Sequence, residues 1–185
     1  MSRLGFYIIF CLLTLTSVHT LFAQQDAQFS QYMFNSIYIT PAAAGGDGVS
    51  RFIAMHRSQW LGYQSSFDER GAPTSQFISF NAPIHKLNSG AGGYILHDKL
   101  GNLNNFQAQA MYAYHLGIGE SKLSFGIKLG VFAQTVDGGE YRYIQEGDDL
   151  IINGKETQVR PDVALGMMYR NEKFYAGFGV NHITN

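Results

Sequence analysis

The chain has 185 residues with 13 Lys and Arg against 14 Asp and Glu, and charged residues make up only 15% of it. A nearly neutral chain without a Lys- or Arg-rich run lacks the electrostatic attraction that binding to a phosphate backbone requires, so nucleic acid is excluded as a partner. The 14 Phe, 11 Tyr and 21 Gly favour β structure with aromatic anchoring over a helical fold.

The first 23 residues have the pattern of a secretory signal peptide. Arg3 precedes an apolar run at 4–18, and the small residue Ala23 comes directly before polar Gln24. The apolar run is shorter than the roughly 20 residues of a membrane-spanning helix. We therefore predict export through the Sec pathway, with cleavage near Ala23. Cys11, the one cysteine, lies inside this run, so the mature chain has no disulfide.

Residues 24–48 form a second region, which shows no strand alternation. It is rich in aromatic and amide side chains and ends in Pro41, three alanines and two glycines. Because proline fixes φ and glycine tolerates turn conformations, this composition predicts an N-terminal extension that leads into a tight turn. We expect the extension to plug or brace the mouth of the domain formed by residues 49–185.

Seven segments of strand length follow the extension. In the clearest, 122–134, Leu123, Phe125 and Ile127 alternate with Ser124 and small or polar residues. The same pattern is found at 50–59, 75–82, 90–98, 105–115, 161–170 and 173–182. We predict an all-β fold, an antiparallel transmembrane β-barrel that is incomplete with about seven strands, in an outer membrane. A soluble β-sandwich is the alternative, because an apolar face suits a core as well as lipid.

The lengths of the connections favour the barrel over the sandwich. Outer-membrane barrels have short periplasmic turns and long outer loops, and here the long connections, 60–74 and 135–160, both fall at one end of the strands. This arrangement places Tyr112, Tyr114 and Tyr169 near the periplasmic ends, as an aromatic girdle. Seven strands are too few for a closed barrel, so the sequence is expected to be a fragment.

The sequence contains no convincing catalytic, cofactor-binding or metal-binding site. His56 and Ser58 share a strand face, but no third residue or oxyanion hole can be placed beside them, so we expect both to be polar side chains in the lumen. The five mature histidines lack metal-ligand spacing. Lys128, among small residues, is expected to be a solvated charge in the lumen or the selectivity group of a passive channel.

Three motifs in the mature chain are similar to those of one family. Residues 24–46 closely resemble the N-terminal signature of the PorP/SprF family, which belongs to the type IX secretion system of Bacteroidetes. A Tyr-x-Tyr-His motif at 112–115 and an Arg-x-Gln-Trp motif at 57–60 also resemble motifs of the family. The residues that carry the resemblance, and that would contact partners, are Gln25, Asp26, Gln28, Phe29, Ser30, Gln31, Tyr32, Met33, Phe34, Asn35, Pro41, Ala42, Gly45, Arg57, Gln59 and Trp60.

The resemblance implies a non-enzymatic outer-membrane protein that assists the secretion or surface attachment of cargo such as gliding adhesins. Its implied partners are outer-membrane lipid, components of the type IX machinery, and secreted cargo or adhesin domains. Strand parity places the long outer loops, above all 135–160 with Glu146, Asp148 and Asp149, toward cargo, and the extension toward the machinery. A passive outer-membrane channel or solute transporter is the alternative function.

Overall fold

The structure is a computed structural model that describes residues 34–62, 72–138 and 154–184. The predicted signal peptide and the first ten residues of the predicted extension lie outside the described residues. The described part begins with a single helical turn, α1 (Ser36–Ile39), and a short 3-10 helix (Pro41–Ala43). Pro41 occupies the first position of that 3-10 helix, where its missing N–H costs no hydrogen bond.

The seven predicted strands are present and form one antiparallel sheet. Each strand pairs with the next along the chain, and the sheet curls into an incomplete barrel, so the predicted fold class is confirmed. The strands are β1 (Arg51–Ser58), β2 (Thr74–Ile84), β3 (Ser89–Leu100), β4 (Leu103–Ile118), β5 (Ser121–Asp137), β6 (Lys155–Arg170) and β7 (Tyr175–Val180).

The tight connections explain why consecutive strands pair. Gly101 and Gly119 have φ of 61° and 60°, each as the first residue of a two-residue hairpin loop, and this geometry matches the right-handed twist of the flanking strands. Between β2 and β3 a short 3-10 helix (His85–Leu87) ends at Asn88, which adopts a left-handed conformation with φ of 45°. These turns set the register of the sheet.

The connections differ from the prediction in length, although the asymmetry remains. β5 runs to Asp137 and β6 starts at Lys155, so the predicted loop 135–160 shrinks to 138–154, and the predicted connection 99–104 shrinks to two residues. The long connections, 59–73 and 138–154, lie at one end of the sheet, and every connection at the other end has four residues or fewer. Some residues predicted to be in the loop belong to β5 and β6 instead, because Thr135 pairs with Thr157 and Val136 pairs with Glu156.

The two faces of the sheet have opposite character. Most side chains on the outer face are apolar and exposed, for example Ile78, Leu129 and Phe178, at 51%, 53% and 67%. Side chains on the inner face are buried, and they mix apolar residues such as Phe77 with polar ones such as Lys128. Strand alternation therefore produces an apolar outside and a mixed inside, the reverse of a soluble sandwich. No helix in the described ranges is long and apolar enough to cross a membrane.

One face assignment from the sequence is wrong. His56 and Ser58 lie on the outer face of β1 beside Phe52, and Arg57 lies on the inner face. The register decides this, because Met55 pairs with buried Phe77 and Arg57 pairs with buried Ser75. Both faces of β1 carry polar and apolar residues, so the pattern within this strand was insufficient.

Candidate functional site

A row of small residues crosses the inner face of the sheet at right angles to the strands. Its members come from six strands and are paired in direct register, each with the next. We call this the glycine row, and it consists of Pro83, Gly90, Ala113, Gly126, Gly166 and Gly179. Because side chains are almost absent along this line, a second piece of backbone can lie directly on the sheet.

The C-terminal part of the extension lies on the glycine row. We call residues 40–45 the inner segment, and all six are buried. A Cβ atom on Gly126 would collide with the backbone of Pro41 and Ala42, and one on Gly90 would collide with the carbonyl of Ala44. The same addition to Gly166 would meet the hydroxyl of Thr40. The glycines of three strands thus leave the space that the inner segment fills.

The close approach requires glycine in the segment itself as well. Gly45 has φ of +66°, a conformation that L side chains rarely adopt, and an added Cβ would lie 2.6 Å from Cα of Gly90. Two glycines, one on each side of the contact, therefore allow the two backbones to touch. The successive turns of the segment satisfy several of its own amides, since Ala44 N–H donates to Pro41 O and Gly46 N–H donates to Ala43 O.

Polar side chains of the sheet hold the ends of the inner segment. The His115 ring has Nε2 3.0 Å from the carbonyl oxygen of Ala44 and Nδ1 2.7 Å from Oγ of Ser124. At the other end, Asn181, directly after β7, donates its side-chain amide to the carbonyl of Ile39, the residue before the segment, at 3.3 Å. These two contacts, one at each end, fix where the segment lies along the row.

Asp47, two residues after the inner segment, forms ion pairs with residues of β1 and β6. Its carboxylate accepts from Arg170 at the end of β6 at 2.6 Å and lies 3.2 Å from Arg51 at the start of β1. The three side chains are 27–38% exposed, so the pairs lie at the rim of the inner face. A single carboxylate therefore connects the beginning of the sheet with its sixth strand.

The helix α1 packs on the inner face of β2 and β3. Ile37 is 1% exposed, and the ring of Tyr38 lies 5.9 Å from that of Phe77 and 5.4 Å from that of Tyr94, in both cases edge to face. Edge-to-face pairs of this kind add about 0.5–1.5 kcal/mol beyond the area that they bury. The extension is therefore attached to the inner face by apolar packing as well as by hydrogen bonds.

A buried polar cluster lies above the inner segment. The Gln109 amide donates to Asp162 at 2.7 Å, and Nδ1 of His182 lies 3.1 Å from the same carboxylate. Lys128, 2% exposed, lies with Nζ 3.4 Å from the Tyr94 hydroxyl and 5.4 Å from the ring centroid. Lys128 faces inward as predicted, but it is buried rather than solvated.

The structure separates the predicted site residues into two groups, one in the extension and one at the end of β1. Asn35, Pro41, Ala42 and Gly45 are buried in the extension, and Phe34 at its start is 58% exposed. The residues Gln25, Asp26, Gln28, Phe29, Ser30, Gln31, Tyr32 and Met33 lie outside the described residues.

The second group lies where β1 meets the long connection 59–73. Arg57 points to the inner face, Gln59 N–H donates to the carbonyl of Pro73 at 2.9 Å, and Trp60 is 64% exposed with φ of 53°. The Gln59 bond closes the base of the connection. These residues and the inner segment are not brought together.

Several residues that organise the site were not singled out as site residues from the sequence. No pattern in the sequence marks Asp47, and His115 is predicted only as part of the Tyr-x-Tyr-His motif and as one of five histidines without metal-ligand spacing. The glycines of the row are predicted only as small residues on strands. One signal in the sequence could have indicated the row. Four strands carry a glycine at an inward position of their alternating pattern, namely Gly90, Gly126, Gly166 and Gly179.

The described residues give no support to a catalytic or metal centre. His56 and Ser58 face outward, away from the buried polar cluster. No group of three or more His, Cys, Asp or Glu side chains suited to a metal ion occurs among the described ranges. What the inner face can do is bind polypeptide, since it already holds the inner segment in a specific position.

Comparison with known proteins agrees with the motifs. No curated protein and no solved structure matches the chain. Residues 21–185 match the family described as type IX secretion system membrane protein PorP/SprF. The match includes the inner segment, the glycine row and every strand, and on this basis the chain belongs to the PorP/SprF family of type IX secretion system membrane proteins.

Proposed function

We propose that this protein is a non-enzymatic outer-membrane scaffold of the type IX secretion system. It assists the secretion or surface attachment of cargo such as gliding adhesins. Family membership supports the link to the secretion system. The observation that favours a scaffold function over a channel function is the burial of the inner segment on the glycine row.

The outer face suits a lipid environment. On β5 the outward side chains from Leu123 to Val131 are all apolar and span eight residue steps. At about 3.4 Å per residue and a tilt of roughly 35–45°, this run is about 19–22 Å high, close to the roughly 25 Å apolar band of outer-membrane barrels. Tyr112 and Tyr114 are 42% and 46% exposed on this face toward the short connections, consistent with a girdle at the periplasmic boundary.

The inner face argues against a passive channel. A conducting lumen needs a water-filled path lined by polar groups. Here the inner segment covers the inner face from β3 to β7, and Lys128, Asp162 and Gln109 are 5% exposed or less. A chain that places its own backbone against the inner wall is better suited to holding polypeptide than to passing solutes.

The two ends of the sheet would contact different partners, cargo at one end and the secretion machinery at the other. The long connections 59–73 and 138–154 would face outward and contact cargo, and the short connections would face the periplasm. Glu146, Asp148 and Asp149, in the longer connection, lie outside the described residues and are proposed as cargo-facing on sequence grounds. Arg57, Gln59 and Trp60 lie at the same end.

The decisive experiment tests the longer connection in cells. The complete gene is deleted in its native bacterium and complemented with the wild type, or with a variant in which 139–153 is replaced by a Gly/Ser linker of equal length. We expect the variant to reach the outer membrane in normal amounts while the appearance of cargo outside the cell falls at least tenfold. A variant with the Asn171 to Phe174 turn exchanged for an equally long polar turn is the matched control. Normal cargo export by the linker variant would contradict the proposed cargo contact.

Conductance separates the scaffold from the channel. The complete protein is reconstituted in planar bilayers, as the wild type and with Gly126→Val, which displaces the inner segment. We expect little steady current from the wild type and more from the variant. Large steady currents from the wild type would support the passive channel instead.

A further inference from the structure

The outer face contains a groove that the function proposed above does not use. It has a volume of about 640 Å³ and lies in the apolar band between β2 and β5. Its walls are Ile78, Phe80, Ile95, Leu129 and Val131, and its floor is Gly93, Ala108 and Ala110. Its volume is in the range of pockets that take one small apolar ligand.

The register of the sheet creates this groove. Ile78, Ile95, Ala108 and Val131 are paired in one row, and Phe80, Gly93, Ala110 and Leu129 are paired in the next. In both rows the side chain on β4 is a methyl group, and β2 and β5 carry large side chains on either side. The depression therefore runs along the strands, at their tilt of roughly 35–45°, and leads toward the end of the sheet with the long connections.

A group of polar side chains that includes one lysine lies directly beyond one end of the groove. On the same face of β3, Ile95 is followed by His97 and then Lys99, in steps of about 7 Å. Gln76 on β2 pairs with His97, and His56 on β1 pairs with Gln76, so the two histidines are about 10 Å apart. This end of the strands carries the long connections.

Among the residues that the structure describes, the carboxylates nearest to this group are directed elsewhere. Asp98 lies on the inner face, where it accepts a hydrogen bond from Ser75, and Asp137 forms an ion pair with Lys155 at 3.1 Å. Among the described residues no carboxylate forms an ion pair with Lys99, His97 or His56. Among the described residues the group therefore presents the ammonium of Lys99, the amide of Gln76 and two imidazole rings beside an apolar groove.

We propose that the groove binds an acyl chain of an outer-leaflet lipid whose phosphorylated sugar headgroup lies on His56, Gln76, His97 and Lys99. The occupant is a lipid of the lipid A class, because the polar group spans about 10 Å and lies at the end with the long connections. A headgroup with phosphates on a disaccharide can contact both histidines at once. This inference rests on the proposed outer-membrane location and orientation.

The test measures lipid retained by the complete protein. Protein purified in detergent is incubated with diphosphorylated lipid A, with phosphatidylglycerol or with phosphatidylethanolamine, and the bound lipid is counted by native mass spectrometry. We expect lipid A to be retained selectively, and the double variant His97→Ala, Lys99→Ala to retain it at least tenfold less. Lys86→Ala, an exposed lysine at the opposite end, is the matched control and should behave as the wild type.

A second pair of variants tests the groove separately from the charges. Ala108→Leu with Ala110→Leu fills the floor and should also lower lipid A retention, whereas Ala176→Leu on the same face of β7 should not. Equal retention of lipid A by the double variants and their controls would overturn the proposal. Equal retention of all three lipids by the wild type would also overturn it, by showing apolar contact alone.

Failure of this inference is distinguishable from failure of the proposed function. The linker variant of 139–153 tests cargo export in cells and does not alter the groove. If that variant exports cargo normally while lipid A retention still depends on Lys99, the scaffold role is wrong and the lipid site stands. If lipid retention does not depend on Lys99 but the linker variant loses export, the lipid site is wrong and the scaffold role stands.

Discussion

Gly126 is a position at which a single added methyl group would disturb the contact between the inner segment and the sheet. In Gly126→Ala the new Cβ collides with the backbone of Pro41 and Ala42, which cannot rotate away as a flexible side chain can. Overpacking of this kind costs about 1–3 kcal/mol. Replacing glycine within a strand by alanine stabilises the folded state by about 0.5–1 kcal/mol, because alanine loses less backbone entropy on folding. We therefore expect a net loss of up to about 2.5 kcal/mol in the free energy of unfolding, and of about 1 kcal/mol from the middle of the two ranges.

Gly117→Ala is the matched control for this variant. Gly117 also lies on a strand with an inward side-chain position, but an added Cβ would meet nothing within 4 Å. It should therefore leave the free energy of unfolding unchanged or raise it by up to about 1 kcal/mol.

Two measurements on the complete protein in detergent micelles check the prediction. Guanidinium unfolding followed by circular dichroism gives the free energy of unfolding. Hydrogen exchange of the amides of Ala43, Ala44 and Gly46 reports local release of the inner segment and should become faster in Gly126→Ala alone. Unchanged exchange and stability in Gly126→Ala would refute the proposed contact between the segment and the glycine row.

Three further predictions concern the ends of the inner segment. Gly45→Ala and Gly48→Ala impose the same left-handed strain, but only an added Cβ at Gly45 would meet the sheet. In guanidinium unfolding the Gly45 variant should therefore lose about 1–3 kcal/mol more free energy of unfolding than the Gly48 variant, and equal losses would argue against the contact. Asp47→Asn should lose up to about 1 kcal/mol in low salt and less in high salt, and Asp137→Asn, whose Lys155 partner is 71% exposed, should lose less; a salt-independent loss would contradict the ion pairs. His115→Leu removes the ring nitrogens that contact the Ala44 carbonyl and the Ser124 hydroxyl. The free energy of unfolding should fall by about 1–3 kcal/mol, and hydrogen exchange at the Ala44 amide should become faster. No change in that exchange would exclude the histidine as an anchor.

The sequence by itself was sufficient for the strands and for most of their faces. Alternation such as that of Leu123, Phe125 and Ile127 is a local property, because neighbouring side chains of a strand must point to opposite faces. Turn residues such as Gly101 and Gly119 are local as well. The all-β class, the seven strands and the asymmetry of the connections were therefore predictable.

Strand ends and the faces of β1 required the paired sheet. Nothing within residues 135–137 or 155–160 reveals that they will find each other across the connection, and their pairing lengthens β5 and β6. In β1, Arg57 and His56 are equally polar, so only the pairing with Phe77 and Ser75 determines which faces inward. Pairing is a relation between strands, and local alternation does not contain it.

The site itself was decided by the tertiary structure. Each glycine of the row is unremarkable within its own strand, and only the register aligns Gly90, Gly126 and Gly166 beneath the inner segment. The sequence indicated an aromatic extension that ends in a Pro-Ala-Gly turn, whereas its seat, its contact with His115 and its ion pair to β6 arise from curling the sheet. The contact of His115 with Ala44 joins residues 71 positions apart, and that of Arg170 with Asp47 joins residues 123 positions apart. Both depend on the curvature of the sheet, which no local pattern specifies.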